Sequence, residues 1–181
     1  MKQILETDRL FLREFASNDS KNLYELNQNP NVVKFTGDKP FVNILEAKAF
    51  IENYKDYKTN GFGRWAVIDK SNNEFLGWCG LKYSPELDET DIGFRFFEDH
   101  WNKGFATESA KACLKYGFDK LNLKFIVGRA MAENTASIKV LEKIGLRYEK
   151  EFNFDEHKGF IFKIEKAKQP LNCNRTPFSK I

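Results

Sequence analysis

The chain has 181 residues, of which 41% are hydrophobic and 30% are charged. These proportions are typical of a soluble globular protein that is large enough to bury a sizeable core. Because 29 basic residues are nearly balanced by 26 acidic ones, the net charge of +3 does not favour a nucleic-acid or anionic-membrane partner. No apolar run approaches the roughly 20 residues that span a bilayer.

The cysteines and histidines predict no metal cofactor. Cys79, Cys113 and Cys173 are far apart and match no metal-binding spacing. His100 and His157 are also widely separated, which argues against a zinc site. Cys79 and Cys113 fall in apolar patterns, so we expect both to be small buried residues. The N-terminal segment has no signal-peptide hydrophobic stretch, which favours a reducing, cytoplasmic location.

The first half of the chain predicts strands, helices and a hairpin. Residues 8–15 alternate in polarity and predict a strand. Residues 16–30 predict a short helix that stops at Pro30. Residues 43–61 predict a longer helix, opened by Asn43 and ended by Gly61. Two β-rich runs then surround a polar turn at residues 71–73, which is typical of a hairpin.

The second half predicts a strand, a helix, a strand, a capped helix and two closing strands. The two helices contain residues 105–121 and 134–145, and the strands lie around them. This order predicts an α/β or α+β fold with a single mixed, mostly antiparallel sheet flanked by helices. We expect residues 1–166 to form the domain and residues 167–181 to form an irregular tail.

One loop in this half has the features of an anion site. The stretch WNKGFAT, residues 101–107, joins a predicted strand to a predicted helix. A helix N-terminus leaves amide groups unsatisfied and attracts phosphate. Gly104 permits close ligand approach, Lys103 adds charge and Thr107 adds a hydroxyl, although the glycine alone could simply make a turn. The patterns G-x-x-x-x-G-K-[ST] and G-x-G-x-x-G are both absent, so another phosphate-bearing cofactor is expected.

Four stretches together resemble the GNAT superfamily of acetyl-CoA-dependent N-acetyltransferases. WNKGFATES, residues 101–109, resembles the pyrophosphate loop Gln/Arg-x-x-Gly-x-Gly/Ala, with Trp101 in the first position. That tryptophan is familiar in the branch resembling the ribosomal-protein-alanine N-acetyltransferases. TDRLFLREF, DIGFRF and ENTASIKVLEKIGL are similar to three further motifs of that branch, in the same order. The resemblance covers roughly residues 5–165 and implies the acyl-CoA N-acyltransferase fold, with acetyl-CoA as cosubstrate.

The resemblance also implies which residues bind acetyl-CoA. The pantetheine arm is expected to pair, like an added strand, with the backbone of Phe94, Arg95 and Phe96. The pyrophosphate is expected on the backbone amides of Asn102, Lys103, Gly104, Phe105, Ala106 and Thr107. Asn134 would bond the pantetheine or the acetyl end, and Ser137 would lie close to the CoA sulfur. From the residues alone, Asn134 is better described as a plain helix N-cap and Ser137 as a small helix residue.

The residues at the positions of the general acid and the general base differ from those of the wider superfamily. Many relatives have a tyrosine seven residues after the asparagine, as general acid, and here Leu141 stands there. Some have a catalytic glutamate on the preceding strand, and here that position is Arg129. Asp91 is our candidate general base, Glu89 is its nearest rival, and Ser137 is a candidate weak acid.

These observations predict an enzyme that transfers acetyl from acetyl-CoA to a primary amine by direct attack in a ternary complex. The acceptor would be a protein N-terminus or a small-molecule amine, which the acidic residues 86–91 could attract, and the chain would act as a monomer or a homodimer. The alternative is a non-catalytic acyl-CoA-binding regulatory or sensor module on the same fold.

Overall fold

The computed structural model describes residues 3–154 and 157–167, which build one eight-stranded sheet. The strands in chain order are β1 (Gln3–Glu6), β2 (Leu10–Arg13), β3 (Arg64–Asp69), β4 (Phe75–Ser84), β5 (Glu89–Phe96), β6 (Phe125–Met131), β7 (Arg147–Phe154) and β8 (His157–Glu165). Their order across the sheet is β1-β2-β3-β4-β5-β6-β8-β7. Only the β5–β6 pair is parallel among these neighbours. The prediction of a mixed, mostly antiparallel sheet is confirmed.

The described residues form six α-helices, and the longer ones pack on the two faces of this sheet. They are α1 (Ser20–Gln28), α2 (Pro30–Val33), α3 (Ile44–Glu52), α4 (Asp56–Thr59), α5 (Phe105–Asp119) and α6 (Thr135–Lys143). One core contains apolar residues of α5 and α6, together with buried Cys79 and Cys113. The second core contains the apolar faces of α1 and α3 against β3 and β4. Within the described residues, no helix combines the length and the apolar character needed to cross a bilayer.

Two of the predicted helices differ from the observed ones. The single helix expected over residues 43–61 is broken after Glu52 into α3 and the short α4. Its predicted start is correct, because the Oδ1 atom of Asn43 accepts from the amide of Glu46 at 3.0 Å. Pro30 begins α2 rather than only ending α1. Proline suits the first helical position, where its missing amide hydrogen costs no bond. Strand β1 was not predicted, and residues 168–181, most of the predicted tail, lie outside the described residues.

The parallel pair β5–β6 is short and decides where the sheet opens. Its register joins Asp91 to Val127 and Ile92 to Gly128, whereas β5 pairs with β4 from Glu89 to Phe96. The last four residues of β5, from Gly93 to Phe96, therefore have no described pairing with β6. Helix α6 lies against β6 at Gly128, where a Cβ atom would come within 2.5 Å of the Leu141 side chain.

Leu141 is only 1% exposed, so Leu141→Ala should remove buried contacts and leave a cavity. We expect the free energy of unfolding to fall by about 2–5 kcal/mol, measured by urea denaturation. Glu142→Ala, at the next and exposed position of α6, is the matched control and should change stability little. A loss below about 1 kcal/mol for Leu141→Ala would contradict this packing.

Candidate active site

A cavity of about 730 Å³ lies where β5 and β6 separate. Its lining comes from α2 and the residues that follow it, the end of β5, the loop before α5, the first turn of α5, and α6 with its N-cap. It includes Phe94, Arg95, Phe96, Asn102, Gly104, Phe105, Ala106, Thr107, Asn134 and Ser137. The structure thus brings ten of the predicted site residues together. Two others, Lys103 and Asp91, are not among the described residues that line it.

The edge of β5 offers backbone groups to this cavity. Successive residues of an antiparallel strand direct their backbone groups to opposite edges. The amide of Phe97 donates to Leu76 on β4 at 3.1 Å, so Phe96 and Phe94 direct theirs away from β4. The Nε1 atom of Trp101 donates to the carbonyl of Phe96 at 2.9 Å. The backbone amide and carbonyl of Phe94 therefore have no strand beside them at this edge. An added strand or a peptide-like arm could bond to them.

The loop before α5 has two residues in the left-handed region. Asn102 has φ 59° and Gly104 has φ 83°, so the chain turns sharply into the helix. The amide of Glu108 donates to the Gly104 carbonyl at 3.0 Å. The three preceding amides, of Phe105, Ala106 and Thr107, have no hydrogen-bond partner among the described residues. Free amides at a helix N-terminus favour an anion, which supports the sequence-based interpretation of this loop.

Thr7, Arg9 and Glu108 form a cluster beside the loop that we did not predict as part of the site. Arg9 donates through Nε to Glu108 at 2.7 Å and through Nη1 to the Lys103 carbonyl at 3.1 Å. Its guanidinium also lies 4.5 Å from the ring centroid of Phe105. Arg9 therefore fixes the loop and neutralises a carboxylate that would repel a phosphate.

The same contacts set the charge state of Glu108. Partial burial raises the pKa of Glu108, but hydrogen bonds from Thr7 and Arg9 outweigh it and hold that pKa below the ordinary 4.5. The Thr7 hydroxyl donates at 2.6 Å. The motif around Thr7 and Arg9 was visible in the sequence, but its contact with α5 spans about a hundred residues.

At the other side of the cavity, Asn134 is the N-cap of α6. Its Oδ1 atom accepts from the amide of Ser137 at 3.1 Å, so the N-cap description is confirmed. Both residues nonetheless line the cavity. The Ser137 hydroxyl has no hydrogen-bond partner among the described residues, which leaves it available to a ligand.

The carboxylates considered for proton transfer are paired with arginines. The Oδ2 atom of Asp91 lies 2.5 Å from Nη2 of Arg64, and Glu89 is paired with Arg129. Asp91 is on the face of β5 opposite to Phe94, because side chains alternate along a strand. Leu141 lies in the core. The ion pair gives Asp91 a structural role, and its catalytic role stays a prediction.

Comparison with known proteins agrees with this geometry. Residues 9–147 match the model of the acetyltransferase (GNAT) domain family. A curated relative, the uncharacterized N-acetyltransferase p20 of Bacillus licheniformis, is 33% identical over 171 residues, which is 93% of this chain and 91% of that protein.

Solved structures give the same result. An acetyltransferase (GNAT family) from Bacillus anthracis has a TM-score of 0.78 and 29% identity, covering 91% of this chain and 98% of that one. A ribosomal L7/L12 alpha-N-protein acetyltransferase in complex with coenzyme A has a TM-score of 0.78 and 16% identity. It covers 91% of this chain and 98% of its own, so the fold is shared with the predicted branch. The described residues contain no cluster of three or more metal-ligating side chains.

Gly104→Val should weaken acetyl-CoA binding by about tenfold or more, measured by calorimetry. A β-branched residue cannot adopt φ 83° without strain, and its Cβ would lie 3.4 Å from Nη2 of Arg9, the side chain that holds this loop. Gly61→Val is the matched control, because Gly61 has φ 77° with no neighbour within 4 Å of the added Cβ. Equal affinity in the two folded variants would contradict a phosphate site at this loop.

Glu108→Gln should lower stability at neutral pH, and its deficit relative to the wild type should shrink in acid. A carboxyl whose folded pKa is depressed stabilises the fold above its ordinary pKa of 4.5, and this stabilisation is lost as the pH falls through the folded pKa. The measurement is thermal unfolding between neutral and acidic pH. Glu142→Gln controls for the change in net charge. A deficit that stays constant to low pH would contradict the proposed contacts.

Proposed function

The chain belongs to the GNAT family of acetyltransferases, and we propose that it transfers acetyl from acetyl-CoA directly to a primary amine while both substrates are bound. The observation that carries this proposal is one cavity with the open edge of β5, the free amides of α5 and the N-terminus of α6. Each of these groups suits a different part of a nucleotide thioester. The cytoplasmic location and the monomeric or homodimeric state stay predictions.

The residues present fit acetyl-CoA. The amides of Phe105, Ala106 and Thr107 would donate hydrogen bonds to the pyrophosphate oxygens, and Arg9 would keep Glu108 from repelling them. The backbone of Phe94, on the open edge of β5, would bond an amide of the pantetheine arm as an extra strand does. When bound, acetyl-CoA supplies an acetyl group activated as a thioester.

The chemistry assigned to the protein is mainly positioning. A backbone amide near Phe94 would donate to the developing oxyanion. The free hydroxyl of Ser137, on the first turn of α6, would donate a proton to the leaving thiolate. Fixing amine and thioester in one cavity would supply much of the remaining acceleration.

The predicted base role of Asp91 requires a path from its carboxylate to the amine, directly or through water. Asp91→Asn should then lower turnover by about a hundredfold and shift the pH–rate profile, while acetyl-CoA affinity changes little. Asp19→Asn, which breaks the buried ion pair with Arg13 away from both cavities, is the matched control, because Glu89 is itself the rival base. Wild-type turnover of Asp91→Asn at every pH would leave Asp91 with its structural role alone.

The test of the function itself is amine-dependent release of CoA thiol. We expect a panel of small primary amines and peptides to contain at least one acceptor that releases thiol above the water background. One observation favours the alternative of a non-catalytic acyl-CoA-binding module. Buried Leu141 stands at the position where many relatives have the general acid. Tight acetyl-CoA binding without thiol release from any acceptor would favour a binding module.

A further inference from the structure

A second cavity, of about 220 Å³, adjoins the first at Arg95, which lines both. It lies between β3–β5 and the helices α1 and α3. Four aromatic side chains form much of its wall: Phe15, Phe41, Phe50 and Trp78. This cavity is beside the open edge of β5, so an amine held here would be next to the expected thioester.

The polar groups of this cavity are unusually cationic for an amine-binding site. Arg64, Arg95 and Lys39 line it, against the single lining carboxylate of Asp38. The guanidinium carbons of Arg64 and Arg95 lie 5.6 and 5.3 Å from the ring of Trp78. Lys39 has no ionic partner among the described residues. Of the acidic residues that we expected to attract a cationic acceptor, Asp91 is paired with Arg64 and Glu89 with Arg129.

The two arginines differ in how firmly their counter-ions are held. Arg64 is tied to Asp91, whose side chain is 17% exposed, and also donates to the Gly80 carbonyl at 2.5 Å. The side chain of Arg95 is 8% exposed, whereas that of its counter-ion Asp38 is 57% exposed. A buried guanidinium needs an anionic partner, but an exposed aspartate can return to water at little cost.

Arg95 is also incompletely satisfied. Its Nη1 donates to Asn27 at 2.5 Å, Nη2 pairs with Asp38, and buried Nε has no partner among the described residues. Asp38 lies between α2 and α3, outside both helices, whereas Arg95 is fixed in the central strand β5. Arg95 is therefore a cation in a fixed position, and Asp38 is a counter-ion that another anion can replace.

We propose that the acceptor amine carries a carboxylate, which takes the place of Asp38 on Arg95, and an apolar or aromatic body that fills the second cavity. This inference rests on the proposed acetyl transfer, because it names the acceptor of that reaction. A charge-assisted pair to a guanidinium binds a carboxylate specifically. Polyamine acceptors lack the anion and would add positive charge.

Matched acceptors test the proposal. We compare L-phenylalanine with L-phenylalaninamide and 4-(aminomethyl)benzoate with 4-(aminomethyl)benzamide, with spermidine as a cationic acceptor, by CoA release. At least one carboxylate should exceed its amide by about tenfold or more in kcat/KM, and it should exceed spermidine. Equal or better use of both amides, or of spermidine, would overturn the inference.

Two variants locate the carboxylate site. Arg95→Gln should abolish the preference for the carboxylate while the neutral amide is still used. Asp38→Asn removes the competing anion, so the KM of the carboxylate should fall several-fold and that of the amide should not change. Asp119→Asn, which breaks the exposed pair with Lys115 on α5, is the matched control. A preference that persists in folded Arg95→Gln, or a raised KM for the carboxylate in Asp38→Asn, would refute the assignment.

Product binding separates failure of this inference from failure of the function. Calorimetry with CoA present should show that N-acetyl-L-phenylalanine or 4-(acetamidomethyl)benzoate binds more tightly than its amide, and that Arg95→Gln removes the difference. Preferential binding without any thiol release would support the anion site and defeat the proposed reaction. Thiol release without any preference for a carboxylate would do the reverse.

Discussion

The candidate site depends on one interruption of hydrogen bonding, where β5 and β6 stop pairing after Ile92 and Gly128. A continuous parallel ladder would satisfy the backbone of Phe94 and close the sheet. Instead β5 continues along β4 to Phe96, while β6 continues along β8. Buried backbone groups rarely stay unpaired, so an edge left open inside a sheet is a place where a ligand can complete the ladder.

The helices that follow these two strands enclose the opening. Helix α5 begins immediately after the left-handed Gly104 and directs its free amides at one end of the gap. Helix α6 begins at Asn134 and approaches β6 closely, because Gly128 leaves room for Leu141. The same contact that fills the core therefore removes Leu141 from the cavity. A leucine has no proton to donate, and buried Leu141 contributes packing at the position of the common general acid.

The backbone edge of β5 and one of its side-chain faces line different cavities. The backbone edge faces the first cavity, whereas Arg95 faces the aromatic second cavity, together with Arg64 from β3. The buried guanidinium of Arg95 therefore belongs to the residue directly after Phe94, whose backbone is proposed to bind the cofactor. A charge in this position is costly unless it is paired, which links acceptor chemistry to the stability of the sheet.

Much of the fold and of the candidate cavity could be predicted because the signals for both are local. The alternation of β5, the left-handed Gly104 and the Asn134 cap each depend on a few consecutive residues, and the order of the motifs indicated the family. The break after Glu52 was missed because the apolar spacing continued through it.

The sequence by itself determined most of the elements and the family, and it predicted an anion site at the loop before α5. Only the tertiary structure decided which charges meet. Asp91 pairs with Arg64 across 27 residues, Arg129 with Glu89 across 40 and Arg95 with Asp38 across 57. The pair between Arg9 and Glu108 spans 99. Such pairings depend on strand register and helix placement rather than on local spacing. The sequence around a charged residue therefore does not indicate whether its side chain will contact water, a counter-ion or a substrate.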